Sequence, residues 1–258
     1  MLAALRRNSG ERADALLRIA VVVGLLAVWE LAARTNLINA FLFGSPFEVV
    51  KQLAAWLREG IFFPAVAVTL SEAFLGYLIA VLLGLCFGIA TALMPRVNEV
   101  VSPYVTMFNA LPRLMLAPIL LVWFGFGLTS KIIFVVLVVF FIIYFGVLSG
   151  MAQVSSTYLD ATTLQGANRW HLLRHVYLPA SIGWIAASMR VGIGHAFSAA
   201  VVSEYLGSTD GLGYLITYGQ NVMLASYVYA GVTALVILAI TLDWAVRLLQ
   251  RRMTPWEH

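Results

Sequence analysis

"DATTLQGANRWHLLRHVYLPAS", Asp160 to Ser181, is a polar interlude between two of the most apolar runs in a 258-residue chain. It carries two Arg, two His and an Asp, and ends on Leu178-Pro179 and two small residues. Its signals predict two short helices. Thr157 and Asp160 have capping-box spacing, the Thr hydroxyl accepting from the Asp160 amide while the carboxylate reaches back. The helix they open stops at Gly166, a common helix end. Asn168 is placed to cap a second helix, "RWHLLRHVYL", that runs to Leu178. Pro179 then suits the first turn of the next apolar run. The stretch therefore reads as two helices around a glycine elbow, with Leu159 and Leu164 set among the small Ala161, Thr162 and Thr163. A tip of that shape fits a groove on another molecule; a well-capped connector would carry the same caps.

Working outward, the flanking runs set the fold class. The chain is 62% hydrophobic and 11% charged, against about a quarter charged in soluble domains. Several runs reach the ~20 apolar residues of a membrane-spanning helix, and the short alternating segments of a β-barrel are missing. An all-α integral membrane protein follows, with about six transmembrane helices near Leu16–Ala33, Ser71–Met94, Val100–Phe126, Ile132–Met151, Ala180–Tyr205 and Tyr227–Leu249. The third is expected to break at Pro103, Pro112 and Pro118. With the N-terminus in the cytoplasm, the inner segments hold Arg6, Arg7, Arg12, Arg18, Arg96, Arg169, Arg174, Arg247, Arg251 and Arg252. The outer ones hold Arg34, Lys51, Arg58 and Lys131. Ten basic residues against four obey the positive-inside rule, so both termini and the polar interlude are expected on the cytoplasmic side. The formal charge of +4 is explained by these flanks and calls for no nucleic acid.

The remaining segments add detail. Arg6 to Arg18 ahead of Ile19–Trp29 resemble a signal peptide, but Glu30 follows at once and no A-x-A site is evident, so an uncleaved first span is expected. "SPFEVVKQLAAWLREG" starts a helix at Pro46. Its Phe47, Val50, Leu53, Ala54 and Leu57 share a face, suited either to the outer membrane interface or to packing on the bundle. Gly207, Gly211, Gly213 and Gly219 are expected to break the helix around "STDGLGYLITYGQNV" into a re-entrant or cavity-lining element. Cys86 reads as a small packing residue. No internal repeat is evident, which weighs against a transporter built from inverted repeats.

The polar interlude resembles the cytoplasmic signature of binding-protein-dependent ABC importer permeases: Glu-Ala-Ala, three residues, Gly, nine residues, Ile, any residue, Leu-Pro. Asp160 stands for the Glu, Ala161 matches, Thr162 replaces the second Ala, and Gly166, Val176, Leu178 and Pro179 fall at the family's spacing. "SPFEVVKQL", "LPRLMLAPILLVWFGFGLTSK" and "SEYLGSTDGLGYLI" are similar to the nitrate/sulfonate/taurine branch, with Glu72 in "TLSEAFLGY" where branch members often carry Arg. The resemblance implies a single permease domain over 1–258 with the type I importer (MetI-like) fold. Its transmembrane core would cover about 65–250 and its cytoplasmic coupling loop 152–179. It implies a multi-pass subunit of the bacterial inner membrane. Its expected partners are cytoplasmic ABC ATPase subunits, an external solute-binding protein and a second permease copy in a homodimer. Asp160, Ala161, Gly166, Ala167, Arg169, Leu178 and Pro179 would couple it to the ATPase. ATP and magnesium would be used by that partner, and no cofactor is expected on this chain. The sequence independently lacks G-x-x-x-x-G-K-[ST], the phosphate-cradling loop.

Ionisable residues within spans are functional candidates. Arg113, Arg190, His195 and Glu204 are candidates for the translocation path. The arginines suit a planar or bidentate anion such as a sulfonate, carboxylate or nitrate, or else serve as paired struts. Glu204 suits a gate hydrogen bond or an ordinary interfacial carboxylate, and Glu72 and Asp243 read as interfacial. His171 and His175 are four apart on one helix, but no third ligand completes a metal site, and none is expected. A secondary transporter driven by an ion gradient is the alternative function. An intramembrane enzyme built on His195 and Ser198 ranks last, since nothing nearby forms an oxyanion hole.

Overall fold

The computed structural model describes the backbone of residues 2–253 and the side chains of residues 17–248 other than 40, 95, 156, 160 and 169. The side chains of Arg6, Arg7, Arg12, Arg251, Arg252, Asp160 and Arg169 lie outside the described residues. Among those described the chain is helical and has no strand. It begins with α1 (Leu2–Arg34), α2 (Ala40–Phe43), α3 (Pro46–Arg58) and α4 (Phe62–Leu93). Next come α5 (Pro95–Ala110), a 3-10 turn (Arg113–Met115), α6 (Leu116–Phe124) and α7 (Leu128–Ala152). The polar interlude forms α8 (Ser156–Leu164), α9 (Arg169–Leu172) and a π-turn (Leu173–Tyr177). The chain ends with α10 (Leu178–Gly207), α11 (Leu212–Asn221) and α12 (Ala225–Met253).

Helices α4, α7, α10 and α12 contain the second, fourth, fifth and sixth expected spans and are long and apolar enough to cross a membrane. The third is the pair α5 and α6, bent by 78°. Only one of its three prolines breaks it. Pro103 lies inside α5, and Pro118 sits in the first turn of α6, where a missing N–H costs little. The break falls at Pro112, because Leu111 before it is forced to extended backbone, ψ 138°. The expected first span lies within α1, whose described part, Leu17 to Arg34, carries Arg18, Glu30 and Arg34.

The chain divides into two compact units. The larger comprises Phe63–Tyr214 and the chain from Leu235 onward. Its core is built on α7, whose Phe134, Val135, Val139, Ile143, Tyr144 and Val147 are buried. Helix α4 meets α7 along glycines. A Cβ at Gly76, Gly84 or Gly88 would come within 2.5 Å of Val135, 2.7 Å of Ile143 and 2.8 Å of Val147 respectively. On the other flank of α7, Gly146 admits Ser188 of α10, and Gly150 admits Ser181 and Trp184. Lipid tails are as apolar as leucine, so helices in a bilayer associate through close packing, which small residues permit. Cys86, expected to be packed, instead faces outward on α4.

The smaller unit comprises the chain up to Phe62 and Leu215–Ala234. Helix α3 starts as its sequence requires, with Pro46 in the first turn and the Ser45 hydroxyl accepting from the Glu48 N–H at 3.3 Å. Its buried residues are Val49 and Trp56, with Trp56 edge-on to Tyr227 at 5.2 Å. The expected stripe of Phe47, Val50 and Leu57 is exposed, because the indole, the largest apolar surface on the helix, takes the inward position. Glu30 ties α1 to α3, pairing with Arg34 at 2.6 Å and accepting from the Phe47 N–H at 3.1 Å. Gly219, expected to be a break, lies inside α11: a Cβ there would meet Tyr227 at 2.5 Å.

Candidate functional site

The elbow at Gly166 is a complete helix-terminating motif. The Gly166 N–H donates to the Thr163 carbonyl at 2.9 Å and the Ala167 N–H to that of Thr162 at 3.2 Å, the paired bonds of a Schellman ending. Gly166 takes φ +89°, and a Cβ built on it would have no atom within 4 Å. Glycine is thus required by backbone conformation rather than by space. Asn168 caps the second helix, its Oδ1 accepting from the His171 N–H at 2.9 Å. The capping box at Thr157 does not form. Helix α8 begins one residue earlier, at Ser156, so Thr157 lies inside the first turn, and Ser155 at the cap position makes no side-chain cap bond.

The second helix does not end at Leu178. It passes through the π-turn straight into α10. A proline has no N–H for a regular α-helical bond and its ring crowds the preceding turn; the wider π-turn lies directly before Pro179 and accommodates it. The Ser181 hydroxyl donates to the Tyr177 carbonyl one turn back. Leu173 and Val176 are buried and anchor the segment. Around the elbow, Thr162, Gln165, Gly166, Ala167, His171 and His175 line a groove of about 350 Å³. Leu164, on the last turn of α8, is 89% exposed, and Tyr158 and Trp170 also protrude. His171 and His175 stack 5.9 Å apart; among the described residues no third metal-ligating side chain joins them.

The path candidates separate. Arg113 bridges the break in the third span. It donates to the Val138 carbonyl at 3.2 Å and to the Asn109 side chain, with its guanidinium over the Phe141 ring at 5.4 Å. Those contacts fasten the bend to α7, as a strut would. Arg190 and His195 are exposed on α10, on a broad face shared with Gly183, Ala187, Gly194 and Ser198. Arg190, Gly194 and Ser198 line a cavity of about 340 Å³ with Leu242, Asp243 and Val246 of α12. Asp243 pairs with Arg247 at 2.8 Å. Helices within a bilayer do not leave an arginine facing hydrocarbon, so this face belongs against protein or water.

Glu204 is apart from that face and fully buried in the last turn of α10. Its Oε2 accepts from the Gly213 N–H at 2.7 Å, at the start of α11, where a helix's free amides and dipole favour an anion. Glu72, read from sequence as interfacial, is 1% exposed, and its Oε1 accepts from Lys131 Nζ at 2.6 Å. Lys131, counted as a flanking charge, is equally buried. Sequence reasoning missed this cluster. The available signal was an acid in α4 and a base in α7, each within a turn or three of the same end of the bundle.

The family described as "Binding-protein-dependent transport system inner membrane component" matches residues 80–255. The chain is 31% identical, over 93% of its length and 90% of the other's, to the taurine transport system permease protein TauC of Escherichia coli K12. It is 27% identical, over 91% and 85%, to a putative aliphatic sulfonates transport permease protein, SsuC, of Bacillus subtilis 168. Among solved structures, a bacterial ABC transporter involved in the import of the acidic polysaccharide alginate aligns at TM-score 0.63, 15% identity and 96% coverage of this chain. The MetNI methionine ABC transporter, in an inward-facing conformation, aligns at TM-score 0.60, 20% identity and 76% coverage.

Proposed function

Since this chain belongs to the binding-protein-dependent transport system inner membrane component family, in its nitrate/sulfonate/taurine branch, we propose that it translocates a small organic or inorganic anion delivered by an extracytoplasmic binding protein, driven by ATP hydrolysed elsewhere. It is an ABC importer permease, a transport subunit rather than an enzyme, and the ATPase of such systems is a separate subunit. The observation that carries the mechanism is the elbow. Its first helix end is closed by two backbone bonds and its second by the Asn168 side chain, its tip exposes a leucine, and the helix beyond it runs without interruption into a membrane span. A rigid tip joined to a rigid span converts movement of a docked ATPase into movement of the bundle, a rigid-body transition. Asp160, Ala161, Gly166, Ala167, Arg169, Leu178 and Pro179 form that coupling element.

Arg190 and His195 line the path in this reading, presenting positive charge and hydrogen-bond donors to an anion. The exposed face of α10 is covered by a second copy of the chain, with the path between them. Arg113 holds the bent third span in place. Both termini are cytoplasmic. The test is reconstitution. The chain, its ATPase and its binding protein are placed in proteoliposomes and uptake of labelled taurine is followed. Uptake that needs ATP, the ATPase and the binding protein supports the reading. Uptake by the chain alone, driven by a proton or sodium gradient, refutes it in favour of a secondary transporter.

A further inference from the structure

The buried cluster of Glu72, Lys131 and Glu204 holds two acids and one base, and two of its oxygens have no donor. Glu72 Oε1 takes Lys131 Nζ and Glu204 Oε2 takes the Gly213 N–H, each in a good hydrogen bond. Glu72 Oε2 and Glu204 Oε1 are fully buried and unpartnered. The Leu212–Gly213 turn draws the two together: the Leu212 N–H donates to Thr69, three residues before Glu72 on α4, and the next N–H, that of Gly213, donates to Glu204. As two carboxylates they would meet acceptor to acceptor, leave both oxygens orphaned and carry one uncompensated negative charge inside the bundle.

The remaining neighbours do not relieve this. Thr69 faces Glu204 from α4 but is neutral, and its one hydroxyl proton is divided between that carboxyl and the Ala65 carbonyl at 3.1 Å while it accepts from the Leu212 N–H at 3.0 Å. Asp210, the other charged group facing Glu72, adds negative charge. No further cation faces the pair among the described residues. Water has little room, because the turn at Gly211 closes directly on the carboxyl. Gly211 takes φ +101°, and a Cβ there would fall on the Glu204 carboxylate. Gly213 has no space either, its Cβ position lying 2.5 Å from the Val201 carbonyl.

We infer that Glu72 and Glu204 bind one proton between them, making a neutral three-residue cluster that latches the turn at Gly211 onto α4 and α7. One proton satisfies both orphaned oxygens and cancels the excess charge. Buried polar groups are paired as a rule, and an unpaired buried charge is the costly case. The site sits where α4 and α7 begin and α10 ends, opposite the elbow. Releasing the latch would free the turn that covers it.

Infrared difference spectroscopy on the full chain in lipid nanodiscs at neutral pH tests this. A C=O stretch of a protonated, hydrogen-bonded carboxyl is expected, shifting in heavy water. It should vanish in both Glu72→Gln and Glu204→Gln, because in each the single remaining carboxylate is matched by Lys131 and receives an amide N–H in place of the proton. Lys131→Met should keep the band. The glutamine variants should melt near the wild-type temperature and Glu204→Ala well below it. No band at neutral pH, or a band lost in only one glutamine variant, overturns the shared proton. So does an absent band together with a melting temperature that rises on adding sodium or potassium, which would place a metal cation there instead.

Discussion

Substituting Gly166 by valine tests the elbow with a cost set by its backbone. At φ +89° the residue is in left-handed space, and nothing lies within 4 Å of a Cβ built there. The penalty is therefore conformational, about 1–2 kcal/mol for an L-residue and toward the upper end for a β-branched one. At 1.4 kcal/mol per tenfold, that leaves the two Schellman bonds closed in about 5- to 30-fold fewer molecules. If only the closed elbow seats in the ATPase, solute-stimulated ATP hydrolysis and ATP-driven uptake in proteoliposomes should fall by a similar factor. Gly166→Asn should lose far less, since asparagine tolerates this region. Gly60→Val is the matched control: φ +73°, equally open space, but next to α3 rather than α8. It should leave coupling intact. Wild-type stimulation in Gly166→Val, or an equal loss in Gly60→Val, would refute a coupling role for the elbow.

Other substitutions probe the bundle. Gly84→Val drives a branched side chain into Ile143, an overpacking that costs at least about 1–3 kcal/mol and should lower the thermal midpoint in nanodiscs. Lys131→Met strands Glu72 and should cost about 3–5 kcal/mol in denaturant unfolding, with part recovered by adding Glu72→Gln. Arg113→Met removes a bond to Val138 and the stacking on Phe141, so limited proteolysis near Pro112 should speed up with insertion unchanged. Arg190→Gln should raise the KM for an anionic solute while ATPase assembly persists, as judged by co-purification; an unchanged KM would assign Arg190 to structure.

Much of this was legible because it is written in local chemistry. Gly166 announces a helix end, Asn168 announces a cap, Pro46 announces a helix start, and long apolar runs announce spans, each decided by a few neighbouring residues. Apart from the one-residue slip at Thr157, the misreadings required tertiary knowledge. Pro103, Pro112 and Pro118 have the same intrinsic power to break a helix, yet Pro118 falls in the first turn of α6, Pro103 is carried inside α5, and the break is at Pro112 alone. Gly213 and Gly219 look like breaks in a string of letters, yet they lie inside α11 because a helix crosses closely there. Glu72 and Lys131 lie 59 residues apart, and nothing in either neighbourhood states that they meet. Their burial follows from the glycine-lined approach of α4 to α7, a property of two sequences together.

The π-turn before Pro179 fixes an angle. A residue advances an α-helix by about 100°, as 3.6 residues make a turn. By fitting an extra residue without ending the helix, Leu173–Tyr177 sets the phase between the elbow and everything downstream. In the same residues wound as plain α-helix, the groove at Gly166 and the face of Arg190 would point in directions about a quarter-turn different. The helical run of 4, 5 and 30 residues is then a shaft of roughly 60 Å at about 1.5 Å per residue, keyed at one end to the knob and at the other to Glu204. Its length sets how far a stroke carries. The turn sets which way each end faces when it arrives.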